Sequence, residues 1–142
     1  GLAEKLTATG RLIIVDSDRV PGIGGDRLRF RFSDGHTPGQ MHTVFRGATG
    51  TVVFCGDLIP GTPWVHLPVT MGYDRFPELL IDEKAALYET AFPEHWLLFY
   101  THDTATKASY LARDAAGYDK DIRALSAVCS ECHKTYRASN NG

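Results

Sequence analysis

Between Arg27 and Ser33 the chain reads Arg-Leu-Arg-Phe-Arg-Phe-Ser, with Leu28, Phe30 and Phe32 at alternate positions and arginines between them. Successive side chains of a strand point to opposite faces, so this spacing marks a strand with one buried face. A strand of that kind needs a sheet to belong to and a layer to cover it. Further strands are expected at Arg11 to Asp16, His42 to Arg46, Thr51 to Cys55 and Lys107 to Arg113, and a turn at Pro21 to Gly25. The nearly continuous apolar run from His95 to Thr101 reads as a fully buried strand. Phe76 to Phe92 reads as a helix, with Pro77 at its start and Leu79, Leu80, Leu87, Tyr88, Ala91 and Phe92 as its apolar stripe. A helical period returns from Asp119 to Arg137, where Ile122, Leu125, Val128, Cys129, Cys132 and Tyr136 share a face. The composition shifts near Ala115-Ala116-Gly117, which divides the chain into 1–118 and 119–142.

Bulk properties narrow the class. The 142 residues can bury a real core, and 43% hydrophobic with 23% charged residues is ordinary for a globular protein. A formal net charge of −2 gives no reason to expect nucleic acid or an anionic membrane as partner. No apolar run approaches the roughly 20 residues of a membrane span. Residues Gly1 to Gly10 lack the basic-then-apolar pattern of a secretory signal, although a mature chain would have lost one. Cys55, Cys129 and Cys132 are too few and too clustered for a disulfide scaffold.

Three short segments carry candidate chemistry. They are Gly35-His36-Thr37-Pro38-Gly39-Gln40-Met41-His42, Phe54-Cys55-Gly56-Asp57-Leu58-Ile59-Pro60 and Phe99-Tyr100-Thr101-His102-Asp103. The first lies just ahead of a strand, and the other two follow apolar strands. At such places the backbone is fixed while side chains reach into a cleft. A His, an Asp and another His so placed make a set for a divalent metal such as Zn²⁺. Taken singly each has a plainer reading, since a loop Asp is often only a turn or cap residue.

In order and wording, these pieces resemble the distal half of the metallo-β-lactamase superfamily. The branch in question runs GHTxG, GDLIP, HLP, YD, a helix and then HD. Here those are Gly35 to Gly39, Gly56 to Pro60, His66 to Pro68, Tyr73-Asp74, the Phe76 helix and His102-Asp103, and the resemblance spans about residues 11 to 118. It implies an α/β fold: half of an αββα sandwich, a mixed sheet with helices on one face, here followed by a long C-terminal helix. In that family two metals hold a hydroxide that attacks an ester, lactone, amide or phosphoester. The resemblance implies that Asp57 bridges the metals and that His102 binds the second, which makes these two the candidate catalytic residues. The family usually has a second His, the usual ligand, where Gln40 stands. His36 matches the motif's other His and His42 lies two residues past Gln40, so either can substitute. The family's first-half signature, His-x-His-x-Asp-His, is absent, because no two of His36, His42, His66, His95, His102 and His133 are two apart.

A lone half leaves the inward sheet face, with Leu28, Phe30 and Phe32, in water. That forgoes roughly 1.5–3 kcal/mol for each large side chain. A second chain or a homo-oligomer is therefore expected to cover it, beside a small-molecule substrate.

Cys129-Ser130-Glu131-Cys132-His133 is a C-x-x-C-H motif. On a helix both thiols share a face and His133 lies one turn beyond Cys129, which suits covalent haem with an axial imidazole. A zinc site or a chance Cys pair are the plainer alternatives. The longer run to Tyr136-Arg137 is similar to the last helix of cytochromes c-prime, which implies that Arg137 lies beside the haem. Two functions follow: a metal-dependent hydrolase half, or a haem-carrying electron-transfer or sensor subunit on a hydrolase-like scaffold. Attached haem implies a periplasmic or other extracytoplasmic site, and its absence a cytoplasmic one. Gly22-Ile23-Gly24-Gly25 lacks the Lys of a phosphate loop. Cys55 reads as inert core, His66 and His95 as structural, and Trp64 and Trp96 as apolar fillers.

Overall fold

A computed structural model describes residues 1–12, 14–19, 22–114 and 117–121. A short helix α1 (Leu2–Ala8) precedes six strands: β1 (Leu28–Ser33), β2 (Gln40–Arg46), β3 (Thr51–Phe54), β4 (Leu97–Phe99), β5 (Ala108–Asp114) and β6 (Gly117–Asp121). A second helix, α2 (Pro77–Ala91), connects β3 to β4. The sheet order is β1-β2-β3-β4-β5-β6. Only β3 and β4 are parallel, as a helical crossover between two strands allows. The other neighbouring pairs are antiparallel. This is the mixed sheet with a helix on one face that the sequence implies.

Register sorts the side chains into two faces. Val44 pairs with Val53, and Val53 with Leu98. These point toward α2 and are buried with Cys55, Tyr100 and Leu111. From the helix, Leu80, Leu87, Tyr88 and Ala91 complete the core. The opposite face carries Phe32 beside Met41, Phe45 beside Val52, and Phe54 beside Phe99. Phe32, Met41, Phe45, Phe54 and Phe99 are each between 41% and 47% exposed. Phe54 and Phe99 stack with ring centroids 5.9 Å apart. Residues paired with one another across strands thus form an apolar surface that no described element covers.

Several elements differ from expectation. Arg11 to Asp16 forms no strand among its described residues. The expected buried strand at 95–101 narrows to β4 and is buried on one face only, because Phe99 belongs to the open side. Leu79 and Phe92 are exposed at 40% and 36%, so the buried stripe of α2 runs Leu80, Lys84, Leu87, Tyr88, Ala91. The helix expected over 119–137 does not begin at Asp119: Asp119, Lys120 and Asp121 pair with Ala112, Leu111 and Tyr110. Residues 122–142 lie outside those described. No described helix is long and apolar enough to cross a membrane.

Lys84 is the charged member of that buried stripe. Its ammonium donates to the carbonyls of Trp64, His66 and Val69 at 3.0, 3.1 and 2.7 Å. Those bonds bind the long β3–α2 connection to the helix, and burial pushes the Lys84 pKa down to about 8. Replacing Lys84 with Met keeps the apolar stem and strands three carbonyls. Denaturant unfolding of Lys84→Met is expected to show a loss of at least about 2 kcal/mol, the cost of leaving buried acceptors unpaired. An unchanged midpoint would refute the clamp.

Candidate metal centre

The loop between β1 and β2 is held from below by α2. Glu83 accepts the backbone N–H groups of Asp34 and Gly35 at 2.7 and 3.1 Å. Asp34 in turn accepts the N–H of Gly39 at 2.7 Å, which closes the turn ahead of Gln40. Gly35 has to be glycine: a Cβ there would stand 2.5 Å from the Leu80 Cα. On the other side the N–H groups of Phe76 and Arg75 donate to the carbonyls of Gly35 and His36. The loop is thereby pinned both to α2 and to the two residues just ahead of it.

His36 extends from this loop. Its Nδ1 lies 2.8 Å from Asp74 Oδ1. A carboxylate only accepts, so Nδ1 carries a proton, and Nε2 is the nitrogen turned toward Asp57. The Asp74 side chain is fully buried, and its second oxygen accepts the Met71 N–H at 2.5 Å. Tyr73 stands edge-on to the His36 ring, centroids 6.1 Å apart.

Asp57 enters from the end of β3, where Gly56 turns with φ +52°. Its Oδ2 is 3.5 Å from His36 Nε2 and its Oδ1 is 2.9 Å from His102 Nε2. The latter contact lacks hydrogen-bond geometry, for Oδ1 is buried without a hydrogen-bond partner. His102 follows β4 and is fixed through its N–H, which donates to the Pro60 carbonyl at 2.9 Å. Asp103 holds the same loop: it accepts from the Thr62 N–H and hydroxyl and from the N–H groups of Ala105 and Thr106.

The structure therefore brings His36, Asp57 and His102 together. His42, 2% exposed, is paired through Nε2, which lies 2.7 Å from the Ser33 hydroxyl. Burial pushes its imidazole below the usual range. Its Nδ1 would lie 3.4 Å from a Cβ on Gly56, and Gln40 Nε2 only 2.8 Å from it. Cys129, Cys132, His133 and Arg137 lie outside the described residues. Cys55 is fully buried and its thiol is pushed strongly up by desolvation, as expected of inert core. Of the supporting residues, Asp74 sat within a quoted motif, whereas Glu83 carries no local signal distinguishing it from any charged residue on a helix.

No three His, Cys, Asp or Glu side chains form a single metal-binding group among the described residues. The donors are instead distributed over one carboxylate, with one imidazole facing each oxygen. That arrangement fits divalent cations: two imidazoles converge on one carboxylate, one oxygen of which is buried without a hydrogen-bond partner.

Residues 3–102 match the profile of the metallo-beta-lactamase superfamily. The chain belongs to that superfamily. No curated protein sequence matches it. Among solved structures, a probable metal-dependent hydrolase from Staphylococcus aureus is similar with a TM-score of 0.64 and 20% identity, over 80% of this chain and 41% of that one. The dizinc quorum-quenching lactonase AidC superposes with a TM-score of 0.64 at 16% identity, over 80% and 38%. AiiA of B. thuringiensis gives 0.52 at 20% identity, over 65% and 36%. This metallo-β-lactamase chain thus spans about two fifths of the length of the first two, 41% and 38%.

The four bonds on Asp103 stabilise its ionised form and hold its pKa far below the usual carboxylate range, the Thr106 N–H contributing most. A depressed carboxylate contributes stability that is complete above its unfolded pKa, about 3.9, and is lost as pH falls through the folded value. Acid unfolding of Asp103→Asn is expected to lose stability at neutral pH and to show a shallower acid limb below about pH 4. Parallel acid limbs in the two proteins would refute the assignment.

Proposed function

We propose that this chain is the distal half of a metal-dependent hydrolase acting on a lactone or another ester-like bond, and that a proximal half completes it. The observation that carries this reading is the Asp57 carboxylate flanked on its two oxygens by His36 and His102. Divalent metal, zinc foremost, bound there would lower the pKa of water and stabilise the developing oxyanion. Asp57 would hold the cations as a bridge. His36, its tautomer set by Asp74, would supply a neutral nitrogen on one side, and His102 another on the opposite side. A small substrate suits this role, and the lactonase AidC and AiiA, each solved with an N-acyl-L-homoserine bound, support a lactone. The uncovered face of Phe32, Met41, Phe45, Phe54 and Phe99 supports completion by a second chain or a further segment. Amides and phosphoesters are the other substrate classes that such chemistry reaches.

Metal content and lactone hydrolysis of the completed protein test this. Asp57→Asn is expected to lose most bound metal and nearly all turnover. Asp74→Ala, which frees the His36 ring, should weaken metal binding by roughly 10–100-fold while the helical and sheet signals persist. Full metal occupancy in Asp57→Asn would end the hydrolase reading.

A second reading rests on Cys129-Ser130-Glu131-Cys132-His133. Both thiols would carry a covalent haem with His133 as axial ligand and Arg137 beside it, and the chain would act in electron transfer or sensing outside the cytoplasm. Intact mass of protein made alongside a haem-attachment system decides it. A haem adduct with a Soret band is expected on this reading, and two free thiols would exclude it. A chain without haem would instead be a cytoplasmic hydrolase component.

A further inference from the structure

Strand β1 lies at the edge of the sheet, and its arginines alternate with the apolar residues of the open face. Arg29, Arg31 and Ser33 therefore point to the side that α2 covers. Arg31 is paired across the ladder with His42, which is buried on that side. Its neighbour Arg29 meets Asp26 at 3.2 Å and Asp18 at 3.8 Å. Arg31 has no such carboxylate: among the described residues its guanidinium makes no hydrogen bond or ion pair. It lines a cavity of about 100 Å³ between β1 and α2, together with Ser33, His42, Leu58, Glu83 and Ala86. Ala86 is exposed, so the cavity opens to solvent beside the helix.

A cavity of that size has room for about three water-sized groups, at roughly 30 Å³ each. The guanidinium on its wall carries only donors and no acceptor. Glu83 lines the same space, but both its oxygens already accept backbone N–H groups, those of Asp34 and Gly35. Ser33 is shared with His42, Oγ to Nε2 at 2.7 Å. Burial above all, with the Arg31 charge as a lesser cause, holds the His42 imidazole below its usual range. A neutral ring carries its proton on either nitrogen. With that proton on Nε2, His42 donates to Ser33 and the hydroxyl is free to donate into the cavity. A cation there would meet Arg31, and a neutral molecule would leave the guanidinium charge unmatched. We propose that this cavity binds a small oxyanion of acetate size, held by the Arg31 guanidinium and the Ser33 hydroxyl. The planar guanidinium suits such a ligand because it makes paired N–H···O bonds to a carboxylate. The site contains no residue of the Asp57 centre and is independent of the hydrolase reading.

Calorimetric titration of the full 142-residue chain with sodium acetate, against sodium chloride at the same ionic strength, tests this without any activity assay. Saturable binding is expected. Arg31→Gln removes the charge and should weaken acetate binding roughly tenfold or more, as the loss of charged hydrogen bonds implies. Arg31→Lys keeps the charge without the planar fork and should lose less than Arg31→Gln. Ala86→Leu exchanges one good helix former for another at an exposed position and fills the mouth of the cavity. It leaves every polar group in place, and should weaken acetate binding at least as much as Arg31→Gln. Binding that does not saturate, or an unchanged affinity in folded Arg31→Gln or Ala86→Leu, overturns the inference. So does acetate binding that is lost in Asp57→Asn and kept in Arg31→Gln, which would place the anion on a metal ion at the Asp57 centre.

Discussion

Helix α2 lies against the covered face of the sheet, and two adjacent charged residues on it decide where the loops go. Lys84 turns inward and gathers three carbonyls of the 64–69 segment. Glu83, next to it, reaches the N–H groups of Asp34 and Gly35. One helix therefore fixes the long β3–α2 connection and the β1–β2 loop against each other. Apolar packing of Leu80, Leu87, Tyr88 and Ala91 fixes the helix itself. Burying an ammonium among carbonyls is tolerable only because each N–H finds an acceptor. The same pairing explains how the connection is held with only one short 3-10 helix, Thr62–Trp64, of its own.

The site inherits that rigidity. His36 comes from the loop held by Glu83, Asp57 from the end of β3, and His102 from the end of β4, three points on neighbouring parts of one sheet. Asp74 sets the tautomer of His36, so the ring's free nitrogen faces Asp57. Asp57 divides its two oxygens between two imidazoles, which is why no three-donor cluster forms around a single point.

The open face of the sheet is the counterpart of this order. Its residues are apolar and contiguous across β1 to β4, and each is left about half in water. A sheet with one face packed on a helix and the other apolar is half of a layered architecture. The chain's span of 41% and 38% of two similar folds agrees with that geometry.

Local pattern determined the strands β1, β2, β3 and β5 and the limits of α2, because period and turn chemistry act over a few residues. It also determined that His36, Asp57 and His102 would sit beside strand ends. It failed where the outcome depended on what lies across the fold. Arg11 to Asp16 has strand-like residues, yet its described residues form no strand. Leu79 and Phe92 have apolar character but sit off the contact stripe, while Lys84 is buried because carbonyls from a distant loop await it. Asp119 to Asp121 follow a helical period and join a hairpin instead, since β5 offers them backbone partners. The different surroundings of His36 and His42 were likewise tertiary. His42 points into the core toward Ser33, and only the meeting of β3 with the β1–β2 loop brings His36 to Asp57. Sequence period determines which side chains share a face, but which of them meet depends on contacts between residues far apart in the chain.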